Sequence, residues 1–275
     1  MKDDNWSNKA NNKKRAIAHH KRMIEKYGTY IDTGVERTIM YYFFPEDRTV
    51  DEKAVTYDTK IFVKDQDCIS AIEEECKLYG FGMFVALLNF ASYKEPGGRY
   101  MDGAMAQEEA ICHNSVLYEV LDRCRDKFYD PNKTKLNKGL YNDNLLISPI
   151  LFETETSRFN TNVITCAAPN KNAAQKYQNV SDEACEKAMK SRIDMILYSA
   201  YRQDIHSLVL GAFGCGVFGN DPKVVAALFK EAITGKYKGC FERIIFAVPK
   251  SGNKNYEAFL ETFFDLIKLS YILMS

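Results

Sequence analysis

The chain has 275 residues, 46% of them hydrophobic, which is enough apolar material for one large core or two small ones and excludes a disordered protein. Lysine plus arginine balance aspartate plus glutamate at 37 each, so no net positive field attracts nucleic acid or an anionic membrane, and any polyanion must be gripped locally. No apolar run approaches the ~20 residues that span a bilayer and the opening MKDDNWSNKANNKKR is polar, so the expectation is a cytoplasmic protein with no membrane partner and no sequence-specific nucleic acid.

Residues 13 to 27 place Ala16, Ile17, Met23 and Ile24 at near-helical spacing, and Gly28 is expected to stop that helix. Lys13, Lys14 and Arg15 read as its solvated face. TIMYYFF (38 to 44) and TKIFV (59 to 63) are rich in aromatic and β-branched residues and read as strands, with a helix following from Asp65 to Gly80. FVALLNF (84 to 90), NVITCAA (162 to 168) and SLVLGAF (207 to 213) are nearly continuous in apolar residues, as strands covered on both faces are, and ERIIFAV (242 to 248) adds another. Helical patterns lie at about 104 to 128, 181 to 203, 222 to 234 and 254 to 270. The interval 130 to 162 reads as a loop-rich insertion with one edge strand, LLISPILF, inside a single domain of residues 1 to 275. Strands that alternate with helices predict a parallel or mixed sheet with helices on both faces.

Eight cysteines, none in a C-x-x-C pair, sit mostly in apolar segments and read as reduced, packed thiols. Cys112 adjoins His113, and His19 adjoins His20. Neighbouring residues on a helix point about 100° apart, so neither pair makes a zinc face, and neither a metal nor a cofactor is expected.

Ligands of open α/β sheets bind beyond the carboxyl ends of the strands, and two loops there have unusual content. The first, NFASYKEPGGRYMDGAMAQEEAICHNSVLYEVL, holds Pro96, Gly97 and Gly98, whose backbone is free to approach a diphosphate, and then Gln107, Glu108 and Glu109 in the first turn of a helix. Acidic residues at a helix start have an ordinary explanation in the helix dipole, but the dipole does not account for the glycines. A carboxyl group acts as a general acid only if burial and its neighbours outweigh that dipole. The second loop, GCGVFGNDPKVVAALF from Gly214, brings three glycines into a helix with Asp221 at the N-cap and Pro222 at the first helical position, a phosphate-cradling pattern. Neither loop is a G-x-x-x-x-G-K-[ST] or an opening G-x-G-x-x-G, which removes ATPase and ordinary dehydrogenase readings.

The string GGR, YMDGAMA, QEE resembles the signature of bacterial-type poly(ADP-ribose) glycohydrolases, three glycines followed closely by QEE. NFASYKEPGG, AQEEAICHNSVLY, TCAAPN (165 to 170), GAFGCGVFGNDPKVVAALF and the helical opening RAIAHHKRMIEKYGTYIDTG are similar to that family too, so the likeness spans nearly the whole chain. It implies a macrodomain-like three-layer α/β/α sandwich with a mixed central sheet and an N-terminal helical extension over residues 1 to 45. It also implies ADP-ribose or poly(ADP-ribose) as ligand and ADP-ribosylated proteins as partners. By resemblance Glu109 protonates the departing ribose oxygen and Glu108 holds the ribose hydroxyls. Gly97, Gly98, Gly214, Cys215, Gly216 and Val217 meet the diphosphate, Phe218 positions the terminal ribose, and Asn89, Gln107 and Arg99 complete the expected substrate-binding set. Arg99 stands where the family has its third glycine, either as an added cation for the diphosphate or as a residue that reshapes the loop and weakens turnover. Two other readings stay open on the same scaffold: a non-catalytic ADP-ribose-binding module, and a hydrolase of mono-ADP-ribosylated or O-acetyl-ADP-ribose substrates.

Overall fold

Side chains along the central strands alternate between two separate cores, and this alternation makes the sheet the middle of three layers. The computed structural model describes residues 2–42, 48–51, 57–80, 82–250 and 254–272. In chain order its elements are α1 (Lys2–Glu36), β1 (Ile39–Tyr42), β2 (Lys60–Lys64), α2 (Cys68–Tyr79), β3 (Gly82–Phe90), α3 (Gln107–His113), α4 (Leu117–Arg123), α5 (Asp130–Lys133), β4 (Asn144–Glu153), β5 (Arg158–Cys166), α6 (Lys171–Gln178), α7 (Asp182–Arg202), β6 (Ser207–Leu210), α8 (Pro222–Thr234), β7 (Arg243–Ala247) and α9 (Asn255–Ile272).

The seven strands run in the order β1-β4-β5-β3-β6-β7-β2. β3 is parallel to β5 and β6, and β7 is parallel to β6 and β2, whereas β4 is antiparallel to both β1 and β5. The sheet is therefore mixed, and the carboxyl ends of β2, β7, β6, β3 and β5 share one edge. Val85, Leu87, Val209 and Ile245 pack with Ala16 and Met23 of α1, Ile72 of α2, Ile111 of α3 and Val120 of α4. On the opposite face Ala86, Leu88, Leu208, Leu210 and Phe246 pack with Met189 and Ile196 of α7, Phe229 of α8 and Phe259 of α9. Each fully buried aliphatic or aromatic side chain contributes about 1.5–3 kcal/mol of transfer free energy, which explains why these strands read as unbroken apolar runs.

Four expectations change. Gly28 does not end the first helix: α1 continues to Glu36 with a kink at Tyr27 (φ −127°), because Ala16, Met23, Tyr27 and Ile31 are all buried and hold both halves against the core. The expected extension over residues 1 to 45 is not helical throughout, since β1 lies within it and joins the sheet through Ile39 opposite Ile147; Phe43 and Phe44 lie outside the described residues. LLISPILF is no edge strand: β4 sits between β1 and β5, so the interval 130 to 162 supplies an integral, buried strand. The helical pattern at 104 to 128 breaks at Asn114 to Val116, where Ser115 bridges Phe152 and the Val116 N–H donates to the Leu151 carbonyl at 3.0 Å. A hydrogen bond to a distant strand there replaces the helical one. Among the described residues no helix is long and apolar enough to cross a membrane.

Candidate active site

β3 ends at Phe90, and the chain returns through Pro96, Gly97 and Gly98 to start α3 directly above the strand end. Gln107 makes that return possible. Its Oε1 accepts from the Phe90 N–H at 2.8 Å and its Nε2 donates to the Leu88 carbonyl at 2.7 Å, so both ends of the amide tie α3 to β3. Gln107 thus sits beside the site as an anchor.

The two glutamates that follow are buried, with 4% and 6% of Glu108 and Glu109 exposed. Glu108 accepts from the Ser92 N–H at 2.7 Å and from Asn89 Nδ2 at 3.2 Å. Burial pushes its carboxyl up to about 8, against the pull of those two hydrogen bonds and with a further push from the charge of Glu109. Glu108 therefore keeps its proton near neutral pH, and at this residue burial outweighs the helix start. Glu109 accepts one N–H on each oxygen, Arg99 N to Oε1 and Ala106 N to Oε2, both at 2.9 Å. The second of these is the reach-back half of a capping box, from the third helical residue to an N-cap alanine that has no acceptor of its own. Each oxygen retains a lone pair for an incoming group. Asn89 is fully buried on β3, and its Oδ1 has no partner among the described residues, which leaves one acceptor unspent at the site.

The glycines fit tightly. Gly98 has φ +60°, and a Cβ there would stand 2.7 Å from Glu109 Oε1 and 2.9 Å from Glu108 Oε2, so the two carboxyl groups converge on this position. Gly97 has φ +65°, and its Cβ would meet Tyr118 at 2.8 Å. The N–H groups of Gly98 and Tyr100 are already given to Glu95 and Gly97 carbonyls at 3.1 Å each. The first loop is thus shaped to admit the carboxylates, and the expectation that the Gly98 N–H cradles a diphosphate is not matched by a free donor. Arg99 takes φ −113°, an ordinary value for any residue, so replacing a glycine here carries no backbone strain. Its side chain is 68% exposed and its guanidinium lies 3.4 Å from Asp102.

Free donors lie instead on the second loop, which follows the neighbouring strand β6. Among the described residues no hydrogen bond is made by the N–H groups of Gly216, Val217 and Phe218, three in succession. Such a run forms an anion-binding concavity. The loop is fixed from beneath: Asn220 Nδ2 donates to the Pro169 and Gly214 carbonyls at 2.9 Å each, and Asn172 donates to the Val217 and Phe218 carbonyls at 3.0 Å each. Gly214 at φ +73° allows the turn, Gly216 faces open space and Val217 is 88% exposed. Cys215 points inward, and burial pushes its thiol up to about 12, which leaves it unreactive. Asp221 caps α8 through the Lys223 N–H at 2.8 Å, with Pro222 in the first helical position as the pattern predicts.

A third side was not legible in sequence. Tyr141 lies in the stretch expected to be loop-rich, and its ring stacks on Tyr93 of the first loop at 4.2 Å and meets Phe218 of the second edge-on at 6.2 Å. Asn137, Lys138 and Tyr141 all have positive φ, and the turn letters NKGLYND were the available signal. Fully buried Arg192 holds this stretch to the TCAAPN segment, donating to the Leu140 carbonyl at 3.3 Å and to the Ala167 carbonyl, with Asp143 at 3.0 Å as its ion partner.

The chain is similar to known proteins. The family model described as the microbial-type PARG catalytic domain matches residues 5–152. Among solved structures, the poly(ADP-ribose) glycohydrolase from Thermomonospora curvata bound to the inhibitor ADP-HPD is 27% identical with a TM-score of 0.80, covering 92% of this chain and 100% of that one. The enzyme from Deinococcus radiodurans in complex with ADP-ribose is 29% identical with a TM-score of 0.76, covering 86% of this chain and 98% of its own. Its apo form gives 26% identity and a TM-score of 0.74, covering 86% of this chain and 96% of that one. The comparison with curated proteins finds no match. With the family model spanning more than half of the chain and both enzymes sharing its fold, this chain belongs to the microbial-type poly(ADP-ribose) glycohydrolase catalytic-domain family, a family of glycosidases.

Proposed function

We propose that the chain releases ADP-ribose from poly(ADP-ribose) by hydrolysing ribose–ribose O-glycosidic bonds, with Glu109 as general acid. The observation that carries this reading is the convergence of Glu108 and Glu109 on Gly98, beyond the end of β3, whose neighbour β6 leads into a loop with three N–H groups free among the described residues. Gly216, Val217 and Phe218 receive the diphosphate, and Cys215 and Gly214 shape that turn. Phe218 abuts the terminal ribose, while protonated Glu108 and the unspent Asn89 Oδ1 take its hydroxyls. Gln107 acts through its hold on β3, Gly97 and Gly98 through the room they leave, and Arg99 through its backbone N–H.

As the anomeric C–O bond breaks, Glu109 gives its proton to the departing ribose oxygen and positive charge develops on the sugar. Water then bonds to the anomeric carbon and returns a proton to Glu109. The ligand of the D. radiodurans structure, ADP-ribose, is the product this reaction yields.

We read residues 1–275 as one catalytic domain, and we place the enzyme in the cytoplasm because all eight cysteines are free and seven of them buried. The φ of Arg99 withdraws the main support for a non-catalytic module. Glu109→Gln is expected to lower kcat on poly(ADP-ribose) by at least about 100-fold, within the range that loss of a general acid produces, and to change the Kd of ADP-ribose by less than about threefold. Undiminished turnover would overturn the assignment.

A further inference from the structure

Glu109 Oε1 is held by the backbone N–H of Arg99, and the next residue, Tyr100, is fully buried with a polar end that the reaction itself does not use. Tyr100 leaves the glycine loop in a short turn, and its hydroxyl reaches the N-terminal helix, donating to the Ala16 carbonyl at 3.1 Å and lying 2.8 Å from His19 Nδ1. Because that hydroxyl hydrogen is given to Ala16, His19 supplies the other hydrogen from Nδ1, which fixes the tautomer of the ring. Burial lowers the His19 pKa to about 4, so the ring is neutral and able to play this part at neutral pH. His113, at the far end of the helix that carries both glutamates, meets the Tyr100 ring edge-on at 4.7 Å. A few residues on, the loop presses against α1 so closely that a Cβ on Gly103 would stand 2.4 Å from the Lys9 carbonyl oxygen. Backbone, hydroxyl and ring of one residue thus connect α1, the glycine loop and α3.

We propose that Tyr100, seated on Ala16 and His19 of α1, is a positioning residue that sets the place of the Arg99 N–H beneath Glu109, and that α1 is thereby part of the catalytic apparatus. This rests on Glu109 being the acid. An acid displaced from the departing oxygen by a fraction of an ångström loses rate without losing ligand affinity, since ADP-ribose is gripped elsewhere, by the loop after β6.

Tyr100→Phe keeps the ring and its packing and removes only the hydroxyl. In the full chain it is expected to lower kcat on poly(ADP-ribose) about tenfold while KM and the Kd of ADP-ribose hold, within the losses that misplacement of a reacting group produces, and the melting temperature falls only by the few degrees that one stranded buried donor costs. The companion pair is His19→Leu and His19→Asn: Asn Nδ2 stands close to where the ring Nδ1–H stood, so it is expected to retain most of the kcat that His19→Leu loses. Unchanged kcat in Tyr100→Phe, or kcat and ADP-ribose affinity falling in proportion, would overturn the positioning role. So would equal losses in the two His19 variants, which also keep the test alive should Tyr100→Phe fail to fold. Glu109→Gln measured in parallel separates the two claims. Turnover retained there ends the acid assignment, whereas an inactive Glu109→Gln beside a fully active Tyr100→Phe ends the positioning role alone.

Discussion

Arg99 and Gly98 are adjacent and differ in what they tolerate. Arg99 stands where the signature that this sequence resembles has its third glycine, yet its φ of −113° is open to every residue and its side chain lies in solvent beside Asp102. Gly98 combines φ +60° with less than 3 Å between its would-be Cβ and both carboxyl groups. Adding a methyl group there stacks backbone strain of about 1–3 kcal/mol on a collision with the acid. Arg99→Gly is therefore expected to leave kcat/KM on poly(ADP-ribose) within about threefold of wild type, as a surface change does, and Gly98→Ala to lower it by more than about tenfold, the kinetic equivalent of that strain. Steady-state kinetics on the pair checks both, and a damaging Arg99→Gly would return the arginine to the site as a ligand for the diphosphate.

Under the proposed function, ligand affinity is expected to depend on the loop between β6 and α8. Asn220 and Asn172 bind its carbonyls, and the N–H groups of Gly216, Val217 and Phe218 have no partner among the described residues. At Gly216 a Cβ would meet nothing within 4 Å, so a larger side chain costs the folded protein little and would occupy space that the proposed binding mode gives to the diphosphate. Gly216→Val is thus expected to keep its melting temperature while the Kd of ADP-ribose rises about tenfold, the equivalent of one lost hydrogen bond of ordinary strength. Calorimetry with ADP-ribose measures this, and unchanged affinity would remove the loop from the site. Element boundaries near the other loop follow from pairing at a distance. The apolar pattern at 104 to 128 is continuous, but Ser115 and Val116 are claimed by β4, and the helix that carries the glutamates ends at His113.

For the molecule as a whole, the buried titratable groups predict how stability depends on pH. Glu108 titrates near 8 when folded against an ordinary 4.5, so the folded state binds its proton more tightly than the unfolded chain does. Its contribution is complete below about 4.5 and is lost as pH rises through about 8. His19 runs the other way, from 6.5 down to about 4, so its contribution is complete above 6.5 and is lost as pH falls toward 4. Melting temperatures of wild type and Glu108→Gln measured between about pH 5 and 8 are expected to converge as pH falls and diverge as it rises, with the wild type losing stability more steeply toward the alkaline end. Parallel curves would mean that Glu108 is ionised in the folded protein throughout.

The sequence by itself determined whatever is local or periodic. Strands buried on both faces show as runs such as FVALLNF, the loop after β6 announces itself through three glycines and an Asp-Pro helix start, and QEE marks the carboxyl groups at the head of a helix. Tertiary structure decided what depends on a partner far away in the chain. β4 takes an interior place because β1 and β5 claim its two edges, although polar residues flank it on both sides. The proposed diphosphate donors, Gly216, Val217 and Phe218, come forward because the N–H groups of Gly98 and Tyr100 are given to carbonyls and that of Arg99 to the Glu109 carboxylate. Tyr100 and His19 lie 81 positions apart, and no spacing rule joins them. A hydrogen bond between such residues exists only once the chain has folded, because what fixes it is the packing of α1 on the sheet and not any pattern in neighbouring letters.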